Sequence, residues 1–156
     1  MDSNTRIFQI ALSKGGVPKH AVQTAAVTTL GIEGDKHRDM RHHGGPDRAL
    51  CLYSLEHILA LQGEGHPIFP GSTGENILTL GLNFAEIPVG ALLKLGEEVR
   101  LEITSHAAPC KTIRGSFIDE GFTRISQKLH PGWSRLYARV LREGTIRVGD
   151  GIRLIA

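Results

Sequence analysis

Two segments of the chain repeat one pattern without gaps: residues 91–101, ALLKLGEEVRL, and residues 144–154, GTIRVGDGIRL. In each segment, apolar and basic positions alternate on both sides of a glycine that is followed by an acidic residue, at 96–97 and at 149–150. Alternation with a period of two is typical of strands, and a short turn containing glycine is typical of the link between two strands. We therefore expect two similar β-hairpins.

The rest of the chain also divides into short pieces, because 19 glycines and 7 prolines interrupt it. Apolar runs predict further strands over 7–12, 21–30, 48–53, 76–80 and 136–141. Ser54 is a candidate N-cap for a helix that ends near residue 63, and a second helix is expected over 122–129. Many short strands with two hairpins favour a mainly β fold, a closed or nearly closed β-barrel with a few short peripheral helices. At 156 residues, the chain is expected to form one domain, 1–156.

Composition excludes several classes of protein. The formal net charge is only +2, so nothing indicates a nucleic-acid partner. No apolar run is long enough to be a signal peptide or to span a membrane, so we expect a cytoplasmic protein without membrane association. Two cysteines do not make a disulfide framework, and reduced thiols are expected.

The two cysteines occupy different settings. Cys51 lies inside the apolar run RALCLY, where a buried core residue is expected. Cys110 lies in SHAAPCKTIRG, residues 105–115, a turn-forming segment that also carries Lys111 and Arg114. Neighbouring positive charge favours the thiolate, which is the form that acts as nucleophile or metal ligand. Cys110 is therefore the candidate reactive residue.

Three chemistries are compatible with these residues. Zinc binding by His37, His42 and His43 is weakly supported, because the spacing matches no standard zinc pattern. A cysteine hydrolase would pair Cys110 with His106 or His43 and use Asp47 or Glu75 as the orienting residue, but no nucleophile signature surrounds the thiol. In the third interpretation the Cys110 thiolate handles a soft partner, sulfur or a metal, while nearby guanidinium groups bind a phosphate.

Three motifs in a fixed order narrow this choice. They are HGGPDRA at 43–49, GENI at 74–77, and Glu102 followed by Pro109-Cys110. In this order they resemble MOSC domains, named after the C-terminal domain of molybdenum-cofactor sulfurases, and the resemblance spans roughly residues 20 to 156. It implies a β-barrel domain in which Cys110 is the key cysteine. In some members this cysteine takes part in sulfur transfer, and in others it ligates the molybdenum of a pterin cofactor.

The resemblance also implies a set of cofactor-binding residues around Cys110. The candidates are Arg41, His43, Asp47, Arg48, Glu75, Asn76, Lys111 and Arg114. The arginines and Lys111 would contact the pterin phosphate of the molybdenum cofactor (molybdopterin). Glu75 and Asn76 would either orient the cofactor or shape their loop, with Glu75 pairing with an arginine and Asn76 capping the strand entry as the structural alternative.

The chain is shorter than better-known members of the family, and we expect neither an electron-transfer domain nor a pyridoxal-phosphate desulfurase domain within it. No pyridoxal phosphate is expected, and electrons or sulfur would come from a separate partner protein. Three hypotheses remain open at this point. The chain is a molybdenum-cofactor domain that reduces a small N-hydroxylated substrate, a carrier of persulfide on Cys110, or a non-catalytic β-barrel that binds a small anionic ligand and in which Cys110 is structural.

Overall fold

A computed structural model describes residues 4–36 and 45–155. Within these ranges the chain forms eleven strands and one α-helix. In chain order the strands are β1 (Arg6–Leu12), β2 (His20–Val22), β3 (Thr24–Thr28), β4 (Gly31–Ile32), β5 (Leu50–Ser54), β6 (Ile77–Leu80), β7 (Leu92–Leu95), β8 (Val99–Ala107), β9 (Arg135–Arg142), β10 (Gly144–Arg147) and β11 (Ile152–Leu154). The helix α1 spans Leu55–Gly63, and 3-10 helices span Pro46–Arg48, Phe84–Glu86, Lys111–Ser116, Ile118–Glu120 and Phe122–Ile125.

The strands form two sheets. The larger sheet has eight strands in the order β11-β7-β8-β9-β5-β6-β1-β2, and the smaller has the order β10-β3-β4. Only the β5–β6 pair is parallel among the described strands, and α1 makes that crossover. The predicted mainly β fold with a few short helices is confirmed.

The predicted closed barrel is not observed in the part of the chain that the structure describes. The ladders leave two open sheets, with β11 and β2 at the edges of the larger one. The larger sheet curls far enough for residue 151 to form a single bridge with Arg6 in β1. Backbone hydrogen bonds also join residues 5 and 7 to residues 149–152, but no continuous ladder closes this gap in the described chain. Ile10–Leu12 of β1 pair with the short strand β2.

The two repeated segments, 91–101 and 144–154, form different structures. The first is a hairpin: β7 and β8 pair antiparallel around the turn at Gly96, whose φ is +63°. The second is not, because β10 pairs with β3 in the small sheet while β11 pairs with β7 in the large one. Alternation in the sequence correctly predicts these strands but carries no information about their partners.

Three other sequence predictions change in detail. The single strand predicted over 21–30 is two strands, which belong to different sheets. The helix predicted over 122–129 is reduced to a 3-10 helix of four residues. The Ser54 cap is confirmed, since its hydroxyl accepts a hydrogen bond from the His57 N–H at 3.2 Å. In the described ranges no helix has the length and apolar character needed to cross a membrane.

One hydrophobic core lies under the large sheet, and strand β9 separates it from the opposite face. Leu136, Ala138 and Val140 point into this core. Arg135, Tyr137 and Arg139 alternate with them and therefore lie on the other face. Both Arg135 and Tyr137 are nevertheless buried, so other parts of the chain cover that face at this end of β9.

Candidate thiol site

Cys110 lies just beyond the end of β8 and directly before the 3-10 helix Lys111–Ser116. Its backbone is extended, with φ −140° and ψ 174°, and its side chain is half-buried. The Cys110 Sγ and the Thr112 Oγ1 lie 2.9 Å apart and share a hydrogen bond. The thiol is thus held in a defined position and remains accessible from solvent.

The second cysteine lies on the covered face of the large sheet. Cys51, Ala107 and Tyr137 form a small apolar cluster separate from the main core. Burial raises the pKa of the Cys51 thiol to about 11, against the opposing positive charge of Arg135. The prediction that Cys51 is a buried core residue is confirmed.

Tyr137 connects this cluster to Cys110. Burial raises the pKa of its phenol to about 12, and the charges of Cys51 and Cys110 add to the increase. Tyr137 therefore keeps its phenolic proton at neutral pH.

The Arg48 guanidinium lies over the ring of Tyr137, 5.7 Å from the ring centroid. Arg48 ends the 3-10 helix Pro46–Arg48, and two interactions fix this helix on the sheet. The Asp47 carboxylate accepts hydrogen bonds from Arg139, and the Asp47 carbonyl accepts one from the Thr104 hydroxyl. Thr104 is the extra residue of a β-bulge in β8, so the bulge is what aims its hydroxyl at this turn.

Glu75 and Asn76 lie behind the site and are both fully buried. The Glu75 carboxylate accepts hydrogen bonds at 2.6 Å from the Gly71 N–H and from the Thr73 hydroxyl. Burial raises the pKa of this carboxyl, while these two donors and the charge of Arg135 oppose the increase. Of the two roles expected for Glu75, these contacts correspond to shaping the loop.

The Asn76 amide links three segments of backbone. Its oxygen accepts from the Cys51 N–H at 3.0 Å, and its nitrogen donates to the Ala11 carbonyl and to the Asp35 carboxylate. The Asp35 carboxylate is itself paired with Lys19, at 2.7 Å. This buried network fixes the chain at residue 35, just before the end of the first described range.

The two cations next to Cys110 are exposed. Arg114 donates a hydrogen bond to the Lys111 carbonyl at 2.8 Å and lies 3.4 Å from the Glu120 carboxylate. The 3-10 helix thus brings Cys110, Lys111 and Arg114 together as one positively charged edge. Arg41 and His43 were also predicted to bind cofactor, and both lie outside the described residues, as do His37 and His42.

A groove of about 540 Å³ opens at the turn that carries Asp47 and Arg48. Its walls include Asp47, Arg48, Ser105 and Arg139, so two of the predicted site residues line it, whereas Cys110 does not. Across 4–36 and 45–155, no three His, Cys, Asp or Glu side chains are grouped closely enough to hold a metal ion by themselves. The described site therefore offers a single accessible thiol, followed in the next 3-10 helix by the exposed Lys111 and Arg114.

Sequence reasoning missed the residues of β9 that support this site. Arg135, Tyr137 and Arg139 occupy alternate positions of one strand, and the predicted strand 136–141 included two of them. Their period of two could have placed them on one face. The sequence does not reveal that other parts of the chain cover this polar face of β9, so that Arg135 and Tyr137 are buried.

Comparison with known proteins defines the class. The fold is a mainly β domain with a half-buried thiol at the end of a long strand, and the MOSC domain model matches residues 39–153. The chain therefore belongs to the MOSC domain family.

The similar proteins agree with this assignment. Protein YiiM of Escherichia coli (strain K12) is 30% identical over 139 residues, which cover 83% of this chain and 58% of YiiM. A protein named Reductase from Gibberella moniliformis is 31% identical over 133 residues, covering 82% of this chain and 23% of that protein. The crystal structure of YiiM from Geobacillus stearothermophilus superimposes with a TM-score of 0.76 at 24% identity, over 97% of this chain and 75% of that chain. The chain spans less than two thirds of either relative's own length.

Proposed function

We propose that the chain binds a molybdenum cofactor and that Cys110 provides the thiolate ligand to the metal. The observation that carries this proposal is the position of Cys110. The thiol is half-buried, shares a hydrogen bond with Thr112, and lies between the end of β8 and the exposed Lys111. The membership in the MOSC family and a relative that carries the name Reductase support the assignment.

The donor set fits such a group. A thiolate is a soft ligand, and the described residues offer one accessible thiol rather than a closed set of ligands, which leaves the remaining positions of a metal to the cofactor. Lys111 and Arg114 are exposed next to the thiol, and Arg48 lies over Tyr137. These cations would hold the phosphate of the pterin, because guanidinium and ammonium groups bind phosphate strongly.

When bound, the cofactor supplies two-electron chemistry at the metal. For an N-hydroxylated substrate, two electrons and two protons convert the N–OH group to N–H and release one water. In this proposal the electrons would come from a separate electron-donor protein. Within the chain, the Tyr137 phenol keeps its proton at neutral pH beneath the Arg48 guanidinium, and Asp47 anchors the turn that presents Arg48.

The two cysteines allow a matched test. The protein, Cys110→Ser and Cys51→Ser are purified from a molybdenum-replete host, and bound molybdenum and pterin are measured per chain. We expect loading in the wild type and in Cys51→Ser, and a loss of metal in Cys110→Ser. Equal loading of Cys110→Ser and wild type would exclude Cys110 as the ligand.

Carriage of sulfur is the second candidate, and the same half-buried thiol supports it. Here the Cys110 thiolate would attack the terminal sulfur of a donor persulfide, so that the donor S–S bond breaks, a new S–S bond forms at Sγ, and the donor leaves as a thiolate. After incubation with a cysteine desulfurase and cysteine, mass spectrometry should find an adduct of about 32 Da on Cys110 and none on Cys51. An absence of adduct on Cys110 would count against this candidate.

A further inference from the structure

Arg135 is a buried arginine that joins the two loops bordering the thiol site. Only 4% of its surface is exposed. Its Nη1 donates to the Thr73 carbonyl at 2.6 Å, and its Nη2 donates to the Ala108 carbonyl at 3.4 Å. One guanidinium therefore connects the loop 71–76 to the backbone two residues before Cys110.

The segment it holds lies beyond the end of the β8 ladder. Residue Ala107 is the last of β8 and pairs with Arg135 in the ladder, so residues 108–110 continue beyond the sheet. Pro109 has no N–H to donate. The Arg135 contact to the Ala108 carbonyl is thus placed where the chain leaves the sheet and the thiol begins.

The other end of the connection is held by Glu75. Its carboxylate binds the Gly71 N–H and the Thr73 hydroxyl, which fixes the loop that presents the Thr73 carbonyl to Arg135. The bonds form a continuous chain from Glu75 through Thr73 and Arg135 to Ala108. Burying an arginine is costly, and the Arg135 Nε has no acceptor among the described residues. This cost indicates that Arg135 has a role other than packing.

We propose that Arg135 is a positioning residue, which holds residues 108–110 against the loop 71–76 and thereby sets the exposure and reactivity of the Cys110 thiol. The inference deepens the proposed function, because it concerns the same cysteine. It is tested on the thiol directly, so it does not depend on what the thiol binds.

The competing explanation is that Arg135 only neutralises the buried Glu75. Two substitutions separate them. Arg135→Lys keeps the positive charge but cannot reach two carbonyls with a planar fork, whereas Arg135→Met loses both the charge and the hydrogen bonds. If charge alone matters, Arg135→Lys behaves like the wild type, and Glu75→Gln rescues Arg135→Met.

The measurement is the rate of alkylation of Cys110 by iodoacetamide over a range of pH, read by mass spectrometry with an added unstructured cysteine peptide as reference, because Arg135 also influences Cys51. Hydrogen exchange of the amides 110–116 is followed in the same samples. We expect Arg135→Lys and Arg135→Met both to raise the alkylation rate of Cys110 about fivefold, the change expected from losing one hydrogen bond, and to displace its pH profile. Arg142→Lys serves as the matched control, since Arg142 is an exposed arginine on the same strand and should leave the profile unchanged.

A merely structural role gives a different result. The melting temperature would fall in both Arg135 variants while the rate and pH profile of Cys110 stayed within about twofold of the wild type, and that outcome would overturn the proposal. If the Arg135 variants do not fold, Thr73→Val decides the question, because it removes the bond to Glu75 and leaves Arg135 in place. We expect Thr73→Val to shift the Cys110 profile in the same direction, and an unchanged profile overturns the proposal. If the chain proves not to bind a molybdenum cofactor, the alkylation and exchange measurements on Cys110 can still be made. Failure of the proposed function is therefore distinguishable from failure of the positioning role of Arg135.

Discussion

Arg139 donates from both its Nε and its Nη2 to one carboxylate oxygen of Asp47, at 2.9 and 2.6 Å. A third bond, from its Nη1, reaches the Glu102 carboxylate at 3.0 Å. Both partners of the Asp47–Arg139 pair are largely exposed, and exposed pairs contribute little to stability. What this pair does is fix the turn that ends at Arg48.

Substituting Asp47 should therefore affect binding more than folding. In Asp47→Asn the side chain keeps its size but loses its charge and its strong bond to Arg139, so the turn and Arg48 become less well positioned. We expect a nearly unchanged melting temperature and reduced retention of molybdenum and pterin, both measured on purified protein. Lys128→Gln, which removes a charge from an exposed lysine outside the sheets, is the control. A large drop in melting temperature with normal loading would contradict this assignment.

The two thiols should react at very different rates. The Cys51 thiol is buried and its pKa is raised to about 11, so at pH 8 it is protonated as well as inaccessible. Cys110 is half-buried. We expect Ellman's reagent to titrate one thiol rapidly in the native protein and two in guanidinium chloride, and Cys110→Ser to abolish the rapid phase. A rapid phase that survives in Cys110→Ser would show that Cys51 is exposed in solution.

Local features of the fold were predictable where local chemistry decides them. The serine hydroxyl of Ser54 has an orphan helix N–H within reach, so its capping role follows from the sequence alone. The apolar run around Cys51 has no polar face and must be covered on both sides, which is what the structure has. The strand β9 was predicted to within one residue at each end, because its apolar residues mark it as a strand even though one face carries arginines.

The features that the sequence did not predict depend on contacts between residues that are far apart in the chain. The repeat at 144–154 has the alternation of a hairpin, but pairing with β3 and β7 is decided by which edges the rest of the chain leaves open. For Glu75 and Asn76 the sequence left cofactor contact and loop shaping open, and in the structure their polar atoms bond to the loop 71–76 and to the backbone of Cys51. The role of Arg135 was missed because its guanidinium donates to the backbone carbonyls of Thr73 and Ala108, which are far from it in sequence.

Asp35 should be among the most sensitive positions outside the thiol site. Its side chain is 1% exposed and binds Lys19, the Ser13 N–H and the Asn76 amide. Removing one member of a buried ion pair leaves the other charge unpaired, at a cost of about 3–5 kcal/mol. We expect Asp35→Asn to lower the free energy of unfolding by this amount in chemical denaturation.

The control for this pair is the double variant Asp35→Asn, Lys19→Met. It removes the unpaired ammonium as well, so it should be more stable than Asp35→Asn alone. If the double variant is less stable by the full sum of the two single effects, the Lys19–Asp35 pair is not a coupled unit. Lys128→Met, at an exposed lysine, should leave stability nearly unchanged.

The last prediction concerns acid stability and the single tryptophan. The His57 ring lies 4.5 Å from the Trp133 ring and also packs on Tyr53 and Phe84. Its Nδ1 is buried and has no partner among the described residues. Burial lowers the pKa of His57, the charge of Arg124 adds to the decrease, and Glu56 opposes it.

The sign of the pH effect follows from this direction. Since the folded state disfavours the imidazolium, the contribution of His57 to stability is present in full above its unfolded pKa of about 6.5 and is lost as the pH falls below it. Glu64, whose pKa is lowered mainly by its hydrogen bond to Arg124, loses its contribution only as the pH falls through and below its usual value near 4.5. The two effects therefore occupy separate ranges of pH.

Replacing His57 with phenylalanine keeps a ring against Trp133 and removes the titrating group. We expect the free energy of unfolding, followed by Trp133 fluorescence, to fall between pH 7 and pH 5 more steeply in the wild type than in His57→Phe. His20→Phe, at an exposed histidine, should keep the wild-type slope. Equal slopes in the wild type and His57→Phe would mean that the His57 ring is hydrated in solution. A hydrated imidazole takes up its proton without destabilising the folded state, whereas a buried one does not.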